Sequence, residues 1–125
     1  MQAEAPCRWL RAATLDELWE GDIAEVDVGG DRVLLAHLPG GRLRAYQGLC
    51  PHSEFPLASG DLDGEVLTCA AHGWEFDLTT GRGRNPDTCH LYAFPVRLEG
   101  EHIAVAVPDD GRRHHNRCRG LPRGE

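Results

Sequence analysis

Long apolar runs are missing from this chain of 125 residues. No stretch of about eighteen apolar residues occurs, which excludes a helical membrane span. The opening MQAEAPCRWLRAATLDELWE has no apolar core of the kind a secretory signal carries, so a cytoplasmic location is expected. Positive charge is scarce as well. Every one of the 13 basic residues is an arginine; they face 20 Asp and Glu, for a net charge of −7. The balance is uneven: residues 1–107 hold 8 Arg against 17 acidic residues, a net of −9, and residues 108–125 hold 5 against 3, a net of +2. An acidic body argues against nucleic acid and suits steered docking onto a basic partner surface. Nor is there a disulfide framework. Five cysteines is an odd number, and Cys7, Cys89 and Cys118 are scattered, as free thiols of a reducing compartment would be. The length allows one domain, with no room for a second catalytic one.

What is present is concentrated in one stretch. Cys50-Pro51-His52 and Cys69-Ala70-Ala71-His72 form the pattern C-x-H-x16-C-x-x-H. Each cluster pairs a soft sulfur with an imidazole. A Rieske [2Fe-2S] centre requires two thiolates on one iron and two imidazoles on the other, so each cluster would supply one ligand to each iron. Zinc is the competing metal. A Cys2His2 finger keeps its two Cys together and its two His together on a helix. Here the types alternate, and Gly73 follows the second His where a finger helix would continue.

The segment CPHSEFPLASGDLDGEVLTCAAHGWEFDLTTGRGRNP resembles the cluster-binding region of a Rieske ferredoxin. LRAYQGLCPH upstream and NPDTCHLYAFPVRLEGEHIAVAV downstream extend the likeness over about residues 7–108. It is similar above all to the ferredoxin components of toluene-type multicomponent aromatic monooxygenases, and next to those of ring-hydroxylating dioxygenases. The resemblance implies an all-β Rieske fold, an antiparallel β-sandwich base carrying a smaller cluster-binding β subdomain at about residues 48–86. It implies Cys50, His52, Cys69 and His72 as ligands of a [2Fe-2S] cluster, and no catalytic residue. The implied role is one-electron transfer from an NADH-dependent flavin reductase to a diiron hydroxylase, by a monomer that docks transiently. A dioxygenase ferredoxin and a nitrite reductase small subunit are the alternatives.

With neutral imidazoles, two Fe(III), two sulfides and two thiolates carry no net charge, so adding an electron is easier than at an all-thiolate site. High-potential members of the superfamily brace their loops with a disulfide and place hydroxyls near the sulfurs. Here the corresponding positions are Phe55 and Ala71, and Trp74 and Phe76, so a potential at the low end is expected.

The rest of the chain reads as strands. Cys7–Ala12 is a candidate first strand. Thr14-x-x-Glu17 fits a capping box opening one helical turn. Alternation over Asp22–Val28 puts Ala24, Val26 and Val28 inward. Gly29-Gly30-Asp31 is a hairpin turn into Val33–Leu38, which is apolar on both faces. His37 within it is expected as a satisfied sheet histidine. Arg42–Gln47 leads into the first ligand loop. Ser59–Gly64 is expected as turn, Glu65–Thr68 and Trp74–Leu78 as strands, and Thr79–Gly83 as a turn with positive-φ glycines. Leu91–Leu98, with Tyr92, Phe94, Val96 and Leu98 on one face and Pro95 at an edge or bulge, and His102–Val107 would close the larger sheet. Residues 109–125 are expected to be a disordered Arg-rich tail, with His114-His115 and Cys118 solvated rather than metal-bound.

Overall fold

The computed structural model describes residues 7–50, 56–70, 73–85, 89–108 and 116–118. The chain runs β1 (Cys7–Thr14), a 3-10 turn at Leu15–Glu17, β2 (Ile23–Val28), β3 (Asp31–Leu38) and β4 (Arg42–Gln47). A second 3-10 turn at Leu57–Ser59 precedes β5 (Asp61–Asp63), β6 (Val66–Thr68), β7 (Glu75–Asp77) and β8 (Arg82–Asn85). The remainder is β9 (Cys89–His90), β10 (Ala93–Phe94), β11 (Val96–Glu99), β12 (His102–Pro108) and β13 (Arg117–Cys118). Among the described residues three sheets result, an outer one in the order β1-β12-β11, a middle one in the order β10-β4-β3-β2 and a six-stranded one in the order β13-β9-β8-β7-β6-β5, and every pairing is antiparallel.

The strand apolar on both faces is the middle of this arrangement. Val33 and Leu35 of β3 enter one core, shared with Ile103, Val105 and Val107 of β12. Leu34, Ala36 and Leu38 enter the other, shared with Leu67 and Phe76 of the six-stranded sheet. All five β3 residues are fully buried. At about 1.5–3 kcal/mol for each fully buried large aliphatic side chain, this strand holds the base and the cluster subdomain together. Gly29 and Gly30 have φ of 61° and 90°, as a primed two-residue hairpin requires. The capping box is present, with the Thr14 N–H donating to Glu17 Oε1 at 3.0 Å. His37 is the sheet histidine expected, its Nδ1 2.9 Å from the Leu18 carbonyl oxygen.

Several expectations need correction. Leu91–Leu98 is not one strand. The chain steps from the six-stranded sheet (β9) to the middle sheet (β10) and then to the outer one (β11). Pro95 lies at the last step, where it has no N–H to offer and its carbonyl accepts from Ala106 N at 3.0 Å. Tyr92, Phe94 and Val96 do pack inward, but Leu98 is 48% exposed. On the outer sheet Arg97 stacks over Trp9, its guanidinium carbon 4.0 Å from the ring centroid. Ser59–Gly64 contains strand β5, because Asp61–Asp63 pairs with Val66–Thr68 across the Gly64 turn. Gly81 has positive φ as expected, whereas Gly83 lies within β8, paired with Phe76.

The C-terminal segment differs too. Residues 109–115 and 119–125 lie outside the described residues, His114 and His115 among them. Asn116, however, is buried, and β13 pairs with β9. Cys89, read from the sequence as a free thiol, is disulfide-bonded.

Candidate metal centre

The loop that carries the Cys50-Pro51-His52 motif leaves β4 where sheet pairing runs out. Its two ends are tied together. Leu49 bridges to Pro56, the Leu57 N–H donates to the Gly48 carbonyl at 2.9 Å, and the Gly48 N–H donates to the Arg32 carbonyl at 2.9 Å. The Gln47 side chain folds back so that Oε1 accepts the Leu49 N–H at 3.0 Å. Cys50 sits at this root, fully buried.

The second loop leaves β6. The Cys69 N–H donates to the Trp74 carbonyl at 2.7 Å, and the Cys69 carbonyl accepts the Gly73 N–H at 2.9 Å. Gly73 takes a φ of 73°, so the glycine that argued against a zinc-finger helix closes a tight loop instead. Trp74 packs against the same core as Phe76.

Cys50 and Cys69 both lie in the core of the cluster subdomain, and neither is in a disulfide. Two buried sulfurs within one core suit an iron pair's thiolate half, because a buried thiolate must be compensated by positive charge. His52 and His72 lie outside the described residues. Among the described residues no three metal-ligating side chains come together, as expected when only the two sulfurs belong to them.

Two structural supports were not legible in the chain. Gly60, after the second 3-10 turn, abuts β6 so closely that a Cβ there would lie 2.1 Å from the Thr68 carbonyl oxygen, one residue before Cys69. Tyr46 of β4 crosses into the subdomain core, its hydroxyl donating to the Leu78 carbonyl at 2.7 Å. Its ring lies against Gly81, where a Cβ would come within 2.9 Å of Cε1. Arg42 and Glu65 add an ion pair between β4 and the β5–β6 turn, but both are substantially exposed, so it contributes little. At the β7–β8 turn Asp77 Oδ1 accepts from Thr79 N and Oγ1 at 2.9 and 2.6 Å, and these bonds hold its carboxyl below the usual range.

Burial pushes the Tyr46 hydroxyl up to about 12, outweighing the nearby Arg44 guanidinium. The phenol is harder to ionise folded than unfolded, so its contribution is complete below pH about 10 and is lost as pH climbs toward about 12. Chemical denaturation across that window should show stability falling by about 2–3 kcal/mol from this group. In Tyr46→Phe that alkaline component disappears, and stability at pH 7 drops by about 1–3 kcal/mol because the Leu78 carbonyl loses its donor. An unchanged alkaline limb in the variant would assign the loss to other groups.

An antiparallel fold that buries Cys50 and Cys69, neither of them in a disulfide, where two loops leave β4 and β6 has the frame that an iron–sulfur protein needs. The chain belongs to the Rieske [2Fe-2S] domain family, whose model matches residues 8–95. It is 38% identical over 108 residues to the ferredoxin component of the alkene monooxygenase system of Xanthobacter autotrophicus, covering 82% of this chain and 87% of that one. Among solved structures it is similar to the ferredoxin of carbazole 1,9a-dioxygenase from Nocardioides aromaticivorans IC177, at 33% identity and a TM-score of 0.71, covering 78% of this chain and 95% of that one. A second is the ferredoxin in a complex of reduced oxygenase and oxidised ferredoxin of carbazole 1,9a-dioxygenase, at 30% identity and a TM-score of 0.71, covering 78% and 92%. The protein is therefore a ferredoxin-type carrier of oxygenase systems, holding a Rieske [2Fe-2S] cluster and catalysing no reaction of its own. The monooxygenase-type likeness read from the sequence agrees with the alkene monooxygenase relative. No helix among the described residues is long and apolar enough to cross a membrane.

Proposed function

We propose that Cys50 and Cys69 hold one iron, His52 and His72 the other, and that the carrier delivers single electrons from an NADH-dependent flavin reductase to the diiron hydroxylase of a multicomponent monooxygenase. The observation that carries this is the pair of buried sulfurs at the two loop roots, within a chain 38% identical to an alkene monooxygenase ferredoxin. When bound, the cluster takes up and releases one electron at a time. The chain's own part is to bury the thiolates, hold the two loops in register and present the His52/His72 tip to a partner. The carrier works as a cytoplasmic monomer.

Oxygen activation needs two electrons and the cluster holds one, so the carrier must bind and leave twice per turnover. Fast, weak, electrostatically assisted contact suits that demand, and the −9 charge on residues 1–107 supplies the attraction. Reconstituted turnover with the reductase and hydroxylase encoded beside it should require this protein. It should decline as ionic strength rises from about 0.01 to 1 M, where the Debye length shrinks from about 30 to 3 Å. Turnover that is independent of the carrier, or electron acceptance only by a mononuclear-iron dioxygenase, would replace this reading with that of a dioxygenase ferredoxin. The carbazole dioxygenase ferredoxins favour that second reading.

The potential is expected toward the bottom of the roughly −150 to +300 mV Rieske range, because Phe55, Ala71, Trp74 and Phe76 supply neither a bracing disulfide nor hydroxyls. Voltammetry at neutral pH giving a value above about +100 mV would contradict it.

A further inference from the structure

Asn116 stands far from the ligand motif in sequence and at its root in space. It is 8% exposed. Its Oδ1 accepts the Tyr92 N–H at 2.6 Å, and its Nδ2 donates to the Gln47 carbonyl at 2.9 Å and to the Leu49 carbonyl at 2.5 Å. Gln47 is itself buried, its side chain taking the Leu49 N–H and its own N–H donating to the Tyr92 carbonyl at 2.9 Å. Both backbone groups of Leu49 are thus held by side chains just past the end of β4. The Leu49 carbonyl belongs to the same planar peptide as the Cys50 N–H, so fixing one fixes the direction of the other.

Asn116 is in turn anchored by β13, in which Arg117 lies opposite His90 and Cys118 opposite Cys89. Opposed residues of an antiparallel pair have Cα atoms about 4.5–5.5 Å apart, within the roughly 4.4–6.8 Å that a disulfide spans. Cys89 is disulfide-bonded, Cys50 and Cys69 are not, and Cys7 lies in the outer sheet opposite Pro108. That leaves Cys118 as the cysteine in position to be its partner.

We propose that Asn116 is a positioning residue for the first cluster-ligand loop, clamped in place by β13 and a Cys89–Cys118 disulfide, so that the grip on the cluster depends on the C-terminal segment. This rests on Cys50 being a ligand. The clamp opens by thiol–disulfide exchange: a dithiol reductant gives up two electrons and two protons and becomes a cyclic disulfide, and Cys89 and Cys118 become two thiols. Asn116→Asp keeps the acceptor for Tyr92 but loses both donors and sets a negative charge against two carbonyls.

The test uses the loaded protein. Asn116→Asp and Asn116→Ala should lose iron to a chelator about tenfold faster than the parent and shift both the midpoint potential and the g-values of the reduced protein. Leu18→Ala, which hollows the other core, serves as a control of reduced stability and should leave all three unchanged. A peptide map should show residues 89 and 118 linked. Dithiol treatment of the unaltered protein should accelerate iron loss, and Cys118→Ser should match the treated protein and ignore the dithiol. Should the Asn116 variants fail to fold, the dithiol and Cys118→Ser arms decide. The clamp is overturned by unchanged iron release in Asn116→Asp, by equal changes in Leu18→Ala, or by dithiol insensitivity of the parent. A parent protein loaded with zinc and no iron would instead overturn the ligand assignment.

Discussion

Cys69→Ala should purify colourless and free of iron, and Cys50→Ala likewise, while Cys7→Ser keeps a full complement. Each of the two buried sulfurs sits at the root of a different loop, and one cannot substitute for the other. With both sulfurs as ligands, as proposed, losing either leaves an iron short of a thiolate and breaks the link that the cluster makes between the loop after β4 and the loop after β6. Iron and sulfide analysis reads the loss directly. Far-ultraviolet circular dichroism separates it from global unfolding, because each substitution removes only one small buried group from a core of Leu34, Leu67, Phe76 and others. The dithionite-reduced parent should give the low-average-g paramagnetic signal of a Rieske centre. A Cys69→Ala protein that retains that signal would remove Cys69 from the ligand set.

Gly60→Ala is the second large effect, and it arises without touching a ligand. The added Cβ would lie 2.1 Å from the Thr68 carbonyl oxygen and 3.0 Å from its carbon, and the obstruction is backbone that no rotamer change can clear. Either β5 separates from β6, where Asp61 pairs with Thr68, or Thr68 moves and carries Cys69 with it. Overpacking of this kind costs about 3 kcal/mol or more. For a domain of this size that is a fall in Tm of about 10 °C or more, together with poor iron loading. Gly64→Asn is the control. It has a φ of 66°, which asparagine tolerates, and open space where the Cβ would go, so its Tm should change by only a few degrees. Equal behaviour of the two variants would show that the close approach to Thr68 does not hold in solution.

Much of the fold was open to reading because strand signals are local. Period-two alternation in Ala24, Val26 and Val28, a Gly29-Gly30 turn that only positive φ satisfies, and a strand apolar on both faces each announce themselves within a few residues. The ligand motif is also local, two donors within three or four residues, and it named the cofactor and the family before any coordinates.

Whatever failed to be legible depends on partners distant in sequence. Leu91–Leu98 alternates like one strand, yet it is divided between two sheets, because where a segment finds its hydrogen-bond partners is decided by the sheets on either side of it. The composition of the tail predicts a solvated segment, and nothing in RRHHNRCRG signals that Asn116 answers three backbone groups at positions 47, 49 and 92. Gly60 looked like any turn glycine until Thr68 was placed beside it. The sequence by itself determined the all-β class, the family and its [2Fe-2S] cofactor, since these follow from residue type and short-range period. Only the tertiary structure decided how the ligand loops are held, since a buried carbonyl or a close backbone approach creates its demand on a side chain after the chain has folded back on itself.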